Sequence, residues 1–251
     1  MSDVKSFWSG RAADAAIDDI SVTHRDVWQR WLEIERIKDL LKPSDTVLDI
    51  GCGAGYATKL LAPLVTRIRG VDFSPEMIDR AAQNAPANAD FKVQDVLELG
   101  PDSHGMFDVV MTIRCLINIL DVEKQKLALE NIRSVLKPGG RLIFIEGSAQ
   151  GRTHLNALRE QSGLAAMPPV WHNLDFDEDE TLAFFQDKYD VVERISFGTY
   201  DFVSRIVHPL AVRPAEPDYQ GVLNEVGARL ALIRNDMPDI SRVLGLVLRK
   251  R

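Results

Sequence analysis

Val47-Leu48-Asp49-Ile50-Gly51-Cys52-Gly53-Ala54-Gly55, with Val71-Asp72 one supersecondary unit later, is the stretch that decides the fold. A short apolar run ends in an acid and a glycine-spaced turn, and residues 56–65 then carry a helical pattern. That order reads strand, tight loop, helix. Glycine at alternate positions lets the main chain approach a ligand with no Cβ in the way. The helix start that follows offers N–H groups without intrahelical partners. Asp72 ends the next predicted strand, roughly 20 residues on, where a carboxylate can accept both hydroxyls of a ribose.

The glycine spacing discriminates between ligands. A dinucleotide loop has the form G-x-G-x-x-G. Here the third glycine, Gly55, comes one residue early, and Tyr56 stands at the dinucleotide position. No Gly-Lys-Ser/Thr follows, which argues against a triphosphate loop. The pattern D-x-G-x-G-x-G with an acid downstream resembles the class I S-adenosylmethionine-dependent methyltransferases. An ordinary glycine-rich turn of some other α/β protein is the bland alternative.

Outward from this loop the chain alternates strands and helices. Strands are expected at 46–50, 67–72, 90–94, 107–112 and 141–146, with helices at 56–65, 75–85 and 123–137. Ser74-Pro75-Glu76 is a helix cap followed by a first-turn proline. Lys137-Pro138-Gly139-Gly140 stops a helix before a strand. Such alternation predicts a parallel sheet covered on both faces. Residues 189–197 and 243–249 read as two further strands, which the resemblance makes an antiparallel pair at the sheet edge. The expectation is one domain, 1–251, of doubly wound α/β class. It would hold a mostly parallel seven-stranded Rossmann-like sheet, with an N-terminal helical region at 1–41 broken near residues 21–23, where Thr23 would cap the next helix and His24 would lie near its start. The cofactor core spans 42–146. Excursions at 147–187 and 198–240 are long for a compact domain. They read as helical caps over the carboxyl ends of the strands, or else as core extensions or the contact surface of a homodimer.

Composition narrows the classes. The chain has 251 residues, 45% hydrophobic, and a formal net charge of −7. That balance argues against broad nucleic-acid binding, which needs a basic surface. No apolar run reaches the ~18 residues of a membrane span. The start lacks a secretory pattern. Cys52 and Cys115 form no CxxC or metal pattern and suit a reducing, cytoplasmic setting.

The resemblance implies S-adenosyl-L-methionine as cofactor and assigns residues to it. Gly51, Gly53 and Gly55 would approach its methionyl and ribose portion, with Asp49 organising the loop. Asp72 would hold the ribose diol. Phe73 and Met77 would wall the adenine. Asp95 would take the adenine amino group, beside the Val96 amide. Thr112 lies at the depth expected for the transferable methyl. In the N-terminal Phe7-Trp8-Ser9-Gly10-Arg11, Trp8 would shield the cofactor and Arg11 would pair with its carboxylate.

Methyl transfer needs little beyond alignment and water exclusion, because the sulfonium is already activated. A hydroxyl acceptor also needs a base, for which histidine is suited. Among the five histidines, His172 in Pro168-Pro169-Val170-Trp171-His172-Asn173 is preferred, with Asn173 and Asp175 as polar partners. Arg114, Asn118 and Glu146 would complete the acceptor pocket, and Arg152 and Arg159 would read a phosphate or carboxylate. The acidic run 177–180 suits a helix first turn better than a metal site. The expected function is methyl transfer to a small polar acceptor, a hydroxyl oxygen on a sugar or phosphorylated metabolite. N- or C-methylation, or a non-catalytic cofactor-binding subunit, are the alternatives.

Overall fold

Strand β1 (Thr46–Ile50) shows why the sheet sits at the centre of the molecule: four of its five residues are buried. Val47 joins one hydrophobic cluster and Leu48 the other, so successive side chains feed opposite faces. The computed structural model describes residues 2–14, 26–234 and 236–251. Thr23 and His24, expected near a helix start, lie outside them. In chain order the elements are α1 (Ser2–Ala13), α2 (Val27–Lys38), β1, α3 (Tyr56–Leu61), β2 (Arg67–Asp72), α4 (Pro75–Ala82), β3 (Ala89–Val93), α5 (Pro101–His104) and β4 (Phe107–Ile113). There follow α6 (Val122–Ser134), β5 (Leu136–Gly147), α7 (Ala149–Gln161), α8 (Glu178–Phe185), β6 (Tyr189–Ile195), α9 (Gly198–Phe202), α10 (His208–Val212), α11 (Val222–Ile233) and β7 (Val243–Lys250). No helix among them is long and apolar enough to cross a membrane.

The seven strands run in the order β3-β2-β1-β4-β5-β7-β6. β1 pairs in parallel with β2 and β4, and β4 with β5. β7 slots antiparallel between β5 and β6. Strand order reverses beside β1, between β2 and β4, and such a switch opens a crevice at the carboxyl ends of the strands.

One face packs Leu48, Val110 and Phe144 against Leu129 and Ile132 of α6 and against Phe176 and Phe185. The other packs Val47, Met111 and Ile143 against Leu32 and Ile37 of α2, Leu61 of α3 and Tyr200, Ala228 and Ala231 of the last helices. Each such fully buried large side chain stabilises the fold by about 1.5–3 kcal/mol.

Two local expectations shift. Asp26 caps α2, its side chain accepting the Gln29 amide at 3.0 Å. Lys137-Pro138-Gly139-Gly140 belongs to β5 itself. Leu136 already pairs with Phe107, and the register slips between Phe107 and Val109 to absorb the turn. The first excursion brings Trp171–Asn173 over the crevice. The second packs on α2, where Arg36 donates to the Ala231 carbonyl at 2.8 Å and Trp28 to that of Gln220 at 3.1 Å. Among its described residues it contributes none to the lining of the cleft at the carboxyl ends of the strands.

Candidate active site

The turn after β1 is set by glycine: Gly51, Gly53 and Gly55 have φ of 68°, 54° and 78°. These are left-handed values that side chains disfavour. The Gly51 and Cys52 amides both donate to the Val71 carbonyl, at 2.8 and 3.0 Å, folding the loop onto β2. A Cβ at Gly51 would stand 2.2 Å from Cys115 Sγ, and one at Gly55 would stand 2.9 Å from the Phe91 ring. Gly51 and Gly53 line a cleft of about 200 Å³, and Gly55 packs beneath it on β3.

Asp72, at the end of β2, faces this cleft while only 8% exposed. One carboxylate oxygen accepts the Gly53 amide and the other the Ser74 amide, each at 3.0 Å. Ser74 caps α4 through the Met77 amide, with Pro75 in the first turn. Burial pushes the Asp72 carboxyl up, against the pull of these amides. Each oxygen keeps a lone pair for an incoming hydroxyl. Phe73, Met77, Val96 and Leu97 form the apolar wall alongside. Asp95, after β3, also lines the cleft and accepts the Leu97 amide at 3.0 Å.

Helix α1 roofs the cleft. Lys5 pairs with Asp95 at 2.7 Å, Trp8 Nε1 donates to Asn118 Oδ1 at 2.8 Å, and Ser9 donates to Glu76 at 2.9 Å. His172 joins this roof, stacked on Phe7 at 4.8 Å and edge-on to Trp8 at 5.4 Å. Its Nδ1 is buried without a hydrogen-bond partner. Burial, and then the charge of Arg11, hold its pKa below the ordinary value. Asn118 and Arg114 line the same space, and Arg114 adopts a left-handed φ of 51° in the turn after β4.

Several expected ligands stand apart from the cleft lining. Asp49 is buried and accepts the Thr58 hydroxyl at 2.6 Å, tying β1 to α3, and burial pushes its carboxyl up to about 6. The Thr112 hydroxyl is consumed by Glu146. Glu146 is itself fully buried, so it braces the cleft wall from behind. It accepts the amides of Cys115, Leu116 and Ile117 at 3.1–3.2 Å, and burial raises its carboxyl to about 7. Arg11 lies 6.0 Å from the Phe7 ring and outside the lining. Asp175 is taken by Arg152, and Arg159 donates to the carbonyls of Ala165 and Arg205.

The cleft has an arginine that sequence reasoning missed. Arg30 of α2 lines it at 6% exposure and shares the fully buried Glu33 carboxylate, at 3.7 Å, with Arg114 at 3.2 Å. The Arg30/Glu33 spacing of three along a helix was the available signal. Lys5, one turn before Trp8, was likewise legible only as a surface lysine.

The family model described as "Methyltransferase domain" matches residues 47–140. Nodulation protein S of Rhizobium tropici is 36% identical over 110 residues, covering 43% of this chain and 44% of that protein. The ubiquinone biosynthesis O-methyltransferase of Xanthomonas axonopodis pv. citri is 30% identical over 117 residues, covering 45% and 48%. The chain thus matches less than half the length of these curated relatives. Among solved structures, N-methyltransferase NodS of Bradyrhizobium japonicum, in complex with S-adenosyl-L-homocysteine, superposes with a TM-score of 0.60. It is 18% identical, with 98% of both chains covered. Residues 47–140 thus match a methyltransferase domain, and the seven-stranded sheet built around them has the fold of the class I S-adenosylmethionine-dependent methyltransferases.

Proposed function

We propose that this chain transfers the methyl group of S-adenosylmethionine to a small polar acceptor, a hydroxyl oxygen on a sugar or a phosphorylated metabolite. The observation that carries the reading is Asp72, fixed between the Gly53 and Ser74 amides at the mouth of a left-handed glycine turn. The donor set fits the cofactor. Asp72 has capacity for a ribose diol, Phe73, Met77 and Val96 offer a slot for adenine, and Asp95 and the Val96 amide lie at its end. Gly51 and Gly53 give main-chain contact to the methionyl portion. Arg30 takes the carboxylate role for which Arg11 was expected, because Arg30 lines the cleft and holds only a shared carboxylate.

When bound, the cofactor supplies a methyl group already activated by its sulfonium. The remaining work is alignment and exclusion of water. Trp8, held by Asn118, closes the roof. Asn118 also donates to the Arg114 carbonyl at 3.1 Å, so it positions both roof and wall. His172, neutral at pH 7 because its pKa is lowered, takes the hydroxyl proton. Arg114, tied to Glu33, shapes the acceptor side.

The test has two stages. Calorimetry with S-adenosylhomocysteine must show saturable binding. Methyl transfer from labelled donor is then measured over hydroxyl, amine and carbon acceptors. Product from hydroxyl compounds is expected. Product confined to amines or carbons would move the reading to N- or C-methylation, and tight binding with no product anywhere would make the chain a cofactor-binding subunit.

A further inference from the structure

Helix α11 is apolar on two faces, and only one of them is used by the fold. Asn224, Gly227, Ala228 and Ala231 are buried. Ala228 and Ala231 belong to the cluster shared with Leu32 and Ile37 of α2, and Gly227 sits tightly over Val203. Val222, Val226, Leu230 and Ile233 are exposed instead, Val222 by 70% and Ile233 by 78%. Their spacing of four, four and three places them in one row on the outer face of the helix. A single exposed apolar side chain is ordinary. A full-length row of them marks a contact surface.

The charges beside the row say what fits it. Glu225 and Arg229 border it along the flank nearer α2, paired with each other at 2.8 Å. The Arg229 guanidinium stands over the Trp31 ring of α2, 5.5 Å from its centre. A two-fold axis across the helix at Gly227–Ala228 would set this flank against the same flank of a second copy, with the helix direction reversed. Val222 then meets Ile233 of the second copy, and Val226 meets Leu230. Glu225 lands beside Arg229 of the second copy, and Arg229 beside Glu225, so opposite charges face one another on both sides of the axis. The antiparallel arrangement also sets each helix N-terminus near the other's C-terminus, which the helix dipoles favour. A surface complementary to itself under a two-fold rotation is the requirement for an isologous dimer.

We propose that α11 is the contact helix of a two-fold dimer of this chain, packed antiparallel on the same helix of a second copy. The apolar row supplies the attraction, and the Glu225 and Arg229 pairs fix direction and register. The helix has 12 residues and is therefore about 18 Å long. A contact of that length falls among the small, reversible interfaces. α11 contributes nothing to the cleft lining, so the dimer leaves cofactor binding unobstructed. The proposal stands apart from the choice of methyl acceptor.

The experiment is sedimentation velocity of the full chain between about 1 µM and about 1 mM, a range that brackets weak self-association. A concentration-dependent passage from monomer to dimer mass is expected. Leu230→Glu changes an exposed position, so the variant should fold, which a thermal melt checks. It should raise the concentration of half-dimerisation at least about tenfold, because the carboxylate must leave water for an apolar contact. Glu225→Arg and Arg229→Glu should each weaken the dimer about 2- to 10-fold, the scale of rim ion pairs turned to repulsion. An equimolar mixture of these two variants should regain wild-type association as a heterodimer, since each then presents the opposite charges to the other. A wild-type chain that stays monomeric throughout overturns the proposal and leaves the row to a different protein. A dimer indifferent to Leu230→Glu, or charge variants that the mixture does not restore, overturns it as well.

Discussion

Asp72→Asn isolates the group that the cofactor reading depends on. The substitution keeps size and removes charge. In the wild-type chain both carboxylate oxygens are already engaged by main-chain amides, at 3.0 Å each. An asparagine can satisfy only one of these with its oxygen, and its amide nitrogen then faces the other N–H. Leaving that donor unmatched costs the folded state about 1–3 kcal/mol. For the ligand, a charge-assisted bond to the ribose diol becomes a neutral one with a donor where an acceptor is needed. That loss is about 1.5–3 kcal/mol, or roughly 10- to 100-fold in dissociation constant. The assay is calorimetric titration of S-adenosylhomocysteine, with a thermal melt to confirm that the variant remains folded at the working temperature. Because burial raises the Asp72 pKa, wild-type affinity should weaken as pH falls into that raised range and the carboxylate takes up a proton. The asparagine variant should lose this pH dependence. A folded Asp72→Asn chain that binds with unchanged affinity refutes the assignment of Asp72 to the ribose.

Glu146 makes a prediction about stability. Its carboxyl is raised from 4.5 to about 7, so between these values the folded chain holds a proton that the unfolded chain releases. Stability should therefore fall as pH rises through that window, by up to about 3 kcal/mol. Urea unfolding at pH 5 and pH 8 measures it, and an equal change in Glu146→Gln would show that the effect lies elsewhere. His172→Gln should lower turnover by about 10²–10⁴ and leave cofactor affinity nearly intact. The wild-type rate should climb with pH through a value below the ordinary histidine range, and full turnover in the variant would remove His172 as base. Trp8→Phe deletes the bond to Asn118 and should weaken S-adenosylhomocysteine by about 2- to 10-fold, the scale of one neutral hydrogen bond. An unchanged dissociation constant would mean that the roof does not depend on it.

The sheet was legible because its strands are local. Residues 46–50 and 67–72 are short stretches built on Val, Leu and Ile and closed by turn chemistry, and both match the observed β1 and β2. The places of Gly51, Gly53, Asp72, Asp95 and Val96 followed from that alternation, since a parallel sheet puts each strand's end on one edge. What sequence could not give was long-range pairing. The Thr112 hydroxyl was expected at the cleft, yet Glu146, from the next strand, captures it. Arg152 looked free to meet a substrate until Asp175 arrived beside it through the fold. Arg30 and Arg11 were indistinguishable as helical arginines. Only the docking of α2 against the sheet puts Arg30 at the cleft.

The nearness of Gly51 to Cys115, and of Gly55 to Phe91, has an evolutionary corollary. Selection on folding alone would preserve both positions, since any larger residue collides with a neighbouring strand or turn. On the methyl-transfer reading, a descendant that abandoned alkylation chemistry would keep these two glycines, and also the acid at 72 that holds the Gly53 and Ser74 amides, but could shed the imidazole at 172. In comparing homologues, drift at position 172 is then the sensitive marker of lost catalysis, and retention of the bend is not.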